Sequence, residues 1–262
     1  MNEIVKLDKN LMAGFAGIQD DGFEGVTSQD LKPNFLRIAQ STTDCAKKGH
    51  ASFVKGFEPG IFYDTTTKTN MGEVLKVIVL GYFTNYVEWG QDQGDFRGSY
   101  TVGDFEGMKN SLPNFIDDKG KTHPSTWVTD EGNKIVETKN YFVLLPDYTD
   151  LDILLFTMSG TAIPQSREWV TKMNAIKIEG QRLPMFASVW ELGLLMNENE
   201  KGSWYALGKK GSSKIKHLGI VPKELQPLVI EKRELVAKWI NENKSINYKT
   251  DETFSKEEAT EY

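Results

Sequence analysis

The chain has one cysteine, three histidines and no apolar run near the length of a membrane span. Each shortage removes a class of protein. A single cysteine, Cys45, excludes a disulfide framework and any cysteine-built structural zinc site. His50, His123 and His217 stand far apart and in none of the spacings of a metal-ligand motif, so neither a metal nor a cofactor is expected. A transmembrane helix needs roughly 18 to 20 apolar residues, and the longest apolar candidates, 74–81 and 141–145, have strand length. The opening residues, MNEIVKLDKNLMAGF, lack the charged-then-apolar order of a secretion signal. A cytoplasmic protein with no membrane partner is expected.

Catalytic signatures are missing too. There is no Walker A sequence, no G-x-G-x-x-G after a strand and no G-x-S-x-G elbow. Cys45 in STTDCAKKGH lies close to Lys47, Lys48 and His50, but a buried, incidental cysteine is the better reading. The acidic pairs Asp20/Asp21, Asp117/Asp118 and Glu257/Glu258 fall in expected loops or in the tail and read as solvated. An enzyme is not expected.

What is present is ordinary in bulk and uneven in detail. The 262 residues are 39% hydrophobic and 26% charged, which suits a soluble globular chain of one large or two small domains. The net charge is −6, but residues 1–200 hold 19 basic and 28 acidic side chains, residues 201–249 hold 11 and 4, and residues 251–262 hold 1 and 5. An acidic total therefore conceals a basic segment followed by an acidic tail. Such asymmetry points to nucleic acid or a charged partner, or else to ordinary solvated surface.

Residues 1–30 show no sustained period and read as a flexible arm. Residues 32–40 read as a short strand or a helix entry after Pro33, and 60–70 as one strand running into a turn. The clearest strand signal spans 73–89, EVLKVIVLGYFTNYVEW, read as one long bent strand or a pair of strands, with Gly81 placed for a sharp bend or for a bulge that would exchange the faces upstream. Residues 90–135 lack strong periodicity and read as a long loop. Strands at 138–146 and 151–160 form an expected hairpin, and a helix covers 163–178 with Pro164 in its first turn. Further strands are expected at 184–196 and 204–208. A closing helix covers about 227–243, with Leu228, Leu235, Val236, Trp239 and Ile240 as its apolar stripe. From residue 73 onward the core reads strand, long loop, strand, strand, helix, strand, strand. Five strands with a helix between the third and fourth is the element order of the OB-fold, a five-stranded Greek-key barrel. The fold class expected is therefore mainly β with flanking helices: an OB-fold with a long loop insertion, a C-terminal helix and an acidic tail. The divisions are an arm at 1–30, the barrel at 31–216, the helix at 217–249 and the tail at 250–262.

Aromatics interleave with cations along this frame. Lys76, Tyr82, Tyr86 and Trp89 lie on the long strand, and Arg97 and Tyr100 follow it. Arg167 and Lys172 flank Trp169 on the helix, and Trp204, Lys209 and Lys210 lie at the last strand and its glycine-broken exit. Single-stranded nucleic acid is held by such pairs, because every base can stack on a ring and every phosphate can be neutralised by Lys or Arg. Alternation puts Tyr82 and Tyr86 on one face, and their polar tips favour the solvent side. The tail contributes Asp251, Glu252, Glu257, Glu258, Glu261 and the terminal Tyr262. Its charges can compete with nucleic acid, and its aromatic end can dock on a partner protein.

Several segments in order resemble bacteriophage single-stranded DNA-binding proteins: GFEGV, LKPNFLRIAQ, LKVIVLGYFTNYVEW, GDFRGSY, ETKNYFVLL, SREW, LPMFASVWEL and KGSWYAL, spanning roughly residues 22–208. The acidic tail with its terminal aromatic is similar to that of the replication proteins of T7-like phages. The resemblance implies an OB-fold, no catalysis, and coating of exposed single strands during phage DNA replication, recombination and repair in the cytoplasm of the infected host. It also implies recruitment of polymerase and helicase-primase through the tail. Host RNA polymerase and a second copy of the chain stay open as partners. The alternative is a phage interaction or structural protein, or a host transcription modulator, that does not touch nucleic acid.

Overall fold

The computed structural model describes residues 34–91, 95–148, 153–199, 202–209 and 212–242. The expected arm, Lys210 and the acidic tail lie outside them. The first strands are β1 (Phe35–Ile38), β2 (Phe62–Asp64) and the long β3 (Val74–Trp89). Then come β4 (Phe96–Thr101), α1 (Val102–Met108), β5 (Asn114–Ile116), β6 (Thr122–Val128), β7 (Lys134–Leu144) and β8 (Leu154–Ser159). After α2 (Ile163–Ala175) follow β9 (Lys177–Ile178), β10 (Gln181–Arg182), β11 (Ser188–Gly193), β12 (Leu195–Asn199) and β13 (Gly202–Ala206). The described chain ends with β14 (Gly208–Lys209), β15 (Ser212–Ser213), β16 (Ile215–Ile220) and α3 (Gln226–Glu242).

Among the described residues ten strands form one curled, half-barrel sheet in the order β16-β11-β3-β7-β8-β1-β2, with β4 on β3, β6 on β7 and β5 on β6. Its neighbours are antiparallel except β1 and β8. The chain is mainly β, as expected, but its main sheet has ten strands where a five-stranded core was anticipated. Part of the surplus comes from residues 90–135, which are not a loop. Their strands are short, so the period-two signal has little length in which to show. Helix α1 is announced by a capping box: the Thr101 hydroxyl accepts from the Asp104 backbone N–H at 3.2 Å, and the Asp104 carboxylate accepts in return from the Thr101 N–H.

The expected strand over 184–196 divides into a helical turn, β11 and β12. The glycine-broken basic exit forms the β14–β15 hairpin and then β16. The division expected between residues 216 and 217 therefore falls inside a strand of the main sheet.

Gly81 places a bulge in β3, with the register against β7 shifting between Val79 and Gly81. One extra residue in a period-two strand exchanges the faces. Val77 and Val79 consequently share a side with Tyr82, while Ile78 and Leu80 share the other with Phe83 and Val87. Both sides are covered. The first packs against Trp169 of α2 and Trp190 of β11, and Trp169 stacks on the Tyr141 ring at 4.7 Å. The second packs under α3 through Val229 and Val236, with Leu228, Leu235, Trp239 and Ile240 at its margin. Burial explains Cys45 as well: it is 3% exposed in a small apolar cluster with Ala39, Phe57 and Ile61.

Glycine at position 81 is required by this contact. A Cβ there would lie 2.6 Å from Val236 Cγ1 and 2.9 Å from Ile240 Cδ1. Gly81→Ala is expected to destabilise the protein by about 1–3 kcal/mol through overpacking. Combining it with Val236→Ala should make the two losses less than additive, as measured by urea denaturation.

Candidate functional site

Two apolar clusters lie on one side of β3 and β7. Tyr82 and Tyr141 belong to the first, and Tyr86, Phe105, Trp127 and Ile135 form the second. Between them runs a polar band that pairs Thr84 with Lys139 and adjoins Glu137, which stands opposite Tyr86. Charges removed from water must be paired, and these are. The Lys139 ammonium lies 2.6 Å from the Glu137 carboxylate and donates to the Thr84 hydroxyl at 3.0 Å. From α2, the Arg167 guanidinium reaches the other carboxylate oxygen at 3.3 Å. Burial pushes Glu137 upward, but the Lys139 hydrogen bond and charge, the Ser125 hydrogen bond and Arg167 together outweigh it, and the carboxyl is held below its usual range.

Beside this band opens a cleft of about 660 Å³ between the β5–β6 hairpin and the start of α2. The hairpin supplies Lys119, Lys121 and His123, the helix supplies Ile163, Pro164 and Arg167, and Asn199 comes from β12. The hairpin turn is built on Asp117. Its carboxylate accepts from the backbone N–H groups of Lys119 at 3.0 Å and Lys121 at 2.9 Å, and it lies 3.2 Å from His123 Nε2. Gly120 takes the left-handed conformation (φ 77°) that closes the turn. The Lys121 N–H and the His123 ring stabilise the carboxylate, against a smaller opposing effect of burial, and bring Asp117 down to about 2. Asp117 was expected to be solvated. It is instead the anchor that presents Lys119 and Lys121 to the cleft, its own charge engaged inside the turn. The start of α2 adds partial positive charge. The cleft is thus equipped to hold an anion.

The residues singled out from sequence do not gather in one patch. Lys76 and Trp89 sit near opposite ends of β3, thirteen residues or ~40 Å of strand apart. The expectation that Tyr82 and Tyr86 face solvent fails at Tyr86. Tyr86 is 7% exposed, stacked on Phe105 at 3.8 Å with Trp127 against it edge-on, and burial followed by Glu137 pushes its phenol upward. Tyr82 is half-buried against Tyr141 at 5.0 Å. Helix α1 and α2 cover this side, and aromatic rings are the largest apolar surface available to fill under them. Tyr100 donates to Glu88; that bond, then burial, raises its phenol to about 12. Trp89 is half-buried edge-on to Phe96 at 6.0 Å.

Among the cations, Lys76 pairs with Asp147 at 3.1 Å, Arg97 with Asp95 at 2.6 Å and Lys172 with Glu168 at 2.7 Å. Trp204 is half-buried on β13, and Lys209 is exposed on β14. Among the described candidates Arg167 alone lines the cleft. Sequence reasoning missed Lys119, Lys121, His123, Glu137 and Lys139. The alternation K-G-K-T-H after the turn residues Asp117 and Asp118 was the available signal for the first three.

Residues 7–226 match the family model of the Pam3 phage gp34-like proteins. The chain belongs to this family. It is accordingly a phage protein, in agreement with the phage resemblance drawn from the ordered segments. No curated protein and no solved structure matches it. The match to the Pam3 phage gp34-like proteins takes in the whole main sheet and the cleft, and it ends at Gln226, where α3 begins. Among the described residues no helix is long and apolar enough to cross a membrane. Nor does any group of three or more His, Cys, Asp or Glu among them suit a metal ion.

Asp117 makes the hairpin sensitive to acid. Its pKa is depressed in the folded state, from 3.8 to about 2, so its contribution is full above the unfolded value and is lost as pH falls through the folded one. Urea midpoints of wild type and Asp117→Asn should differ at pH 6 and converge between pH 4 and pH 2. A constant gap across that window would contradict the anchoring role.

Proposed function

We propose that this Pam3 phage gp34-like protein is a non-enzymatic binder of single-stranded DNA that holds the phosphate backbone in the cleft between the β5–β6 hairpin and α2. The observation that carries the proposal is the convergence of Lys119, Lys121 and Arg167 on one concave surface, where the Asp117 carboxylate is taken up by the N–H groups of its own turn and Glu137, which Arg167 touches, is closely paired with Lys139. Phosphate neutralisation by such cations is independent of base sequence. The strands β4, β3, β7, β6 and β5, curled around α1, play in this proposal the part of an OB-fold barrel, which carries oligonucleotides on its face and loops. Stacking has a smaller share than the sequence suggested, because Tyr86 is core; Trp204 on β13 is a remaining ring for it. The tail, with its balance of −4 over residues 251–262, acts as a competitor for the cleft and as the recruiting element for phage polymerase and helicase-primase.

A second reading, a phage interaction protein without nucleic acid, draws on the sheet edge β16, where Leu218 and Ile220 are exposed. Fluorescence anisotropy with labelled oligo-dT separates the two. Neutralising three phosphates on a single strand gives a log–log salt slope of about −2, or roughly 20-fold weaker binding at 200 mM than at 50 mM salt. Lys119→Ala with Lys121→Ala should reduce that slope by about 1.4, and removal of residues 251–262 should tighten binding at low salt. An oligo-dT affinity indifferent to salt, or none at 50 mM, favours the interaction protein.

A further inference from the structure

The three-membered ion cluster beneath the cleft is unequal, and the inequality assigns roles. Glu137 is 8% exposed, and its close partner is Lys139, at 2.6 Å with a side chain only 12% exposed. Those two charges compensate each other inside the protein and hold each other there, since separating a buried pair strands a charge. Arg167 is different. Its side chain is 65% exposed, it lines the cleft, and it meets Glu137 through a single 3.3 Å contact from one terminal nitrogen. A guanidinium carries five N–H donors in a planar fork suited to two oxygens of one phosphate. Glu137 keeps Lys139 and Ser125 if Arg167 turns outward, so that turn leaves no buried carboxylate uncompensated.

We propose that Arg167 is the cleft's forked phosphate contact and that Glu137, neutralised from below by Lys139, is the positioning residue that holds Arg167 over the cleft before ligand arrives. This rests on the cleft being a phosphate site. Lys139 is a structural counterion and makes no ligand contact. Pre-orientation lowers the entropy cost of ordering a long side chain on binding, so removal of Glu137 weakens binding only while Arg167 is present.

The test is a double-mutant cycle on the full chain with oligo-dT anisotropy across a salt series. Arg167→Ala should flatten the salt slope by about 0.7, the share of one phosphate. Arg167→Lys should keep the slope and still lose affinity, because charge survives and the fork does not. Glu137→Gln should weaken wild type with the slope unchanged, and should have no effect in the Arg167→Ala background. An equal loss from Glu137→Gln in both backgrounds would show a merely structural role and overturn the positioning assignment. If Glu137→Gln does not fold, the Arg167→Ala and Arg167→Lys slopes still decide the contact, because that side chain is exposed. A slope unaltered by Arg167→Ala but flattened by Lys121→Ala overturns the contact and leaves the cleft standing. Absence of salt-dependent binding in wild type overturns both.

Discussion

The antiparallel ladder between β3 and β7 is the constraint on which the other elements depend. It runs from Ile78 opposite Leu144 to Trp89 opposite Lys134, longer than the neighbours on either side need. One end of the pair therefore carries β11 and β8, the other carries β4 and β6, and a single ladder supports two neighbourhoods. A strand that long accumulates twist, and the bulge at Gly81 lets it bend where α3 crosses. Covering both sides of the ladder then follows from its composition. Valine, isoleucine and aromatic rows on both faces each need a partner layer, and α1, α2 and α3 provide it.

The polar band is the consequence of having two apolar clusters on one side of the same ladder. Where the layers under α1 and α2 meet, the ladder carries Thr84, Glu137 and Lys139 between the two apolar clusters. Charge there is tolerable only as a paired, hydrogen-bonded set. Because the set lies beside the β5–β6 hairpin, the fold brings a cationic turn, a helix start and an exposed arginine to one cleft. The same packing that withdraws Tyr86 from solvent thus creates the site that the aromatic stripe was expected to be.

Charge shows the same division between chain and fold. A net charge of −6 describes a protein repelled by nucleic acid on average, but binding responds to local potential, which falls off within a Debye length of ~10 Å at 0.1 M salt. Most of the basic surplus by sequence lies after residue 200, yet the cleft draws on Lys119, Lys121 and Arg167 from the acidic portion. Asp117 and Glu137, counted against it in the total, are engaged inside the turn and beneath the floor.

The amino-acid sequence by itself determined the β-rich class, the long strand with its bulge, the β7–β8 hairpin, α2 with Pro164 in its first turn, and the stripe of α3. These are properties of local period and backbone preference, which need only neighbours within a few residues. The strands between 90 and 135 and β16 were illegible because short, half-polar strands take their stability from the sheet they join. Only the tertiary structure decided which aromatics are core, because alternation says which residues share a face and not which face is covered. It alone decided the cleft, too, since Lys121 and Arg167 are 46 positions apart and meet only through the pairing of β6 with β7 and the packing of α2 on that sheet.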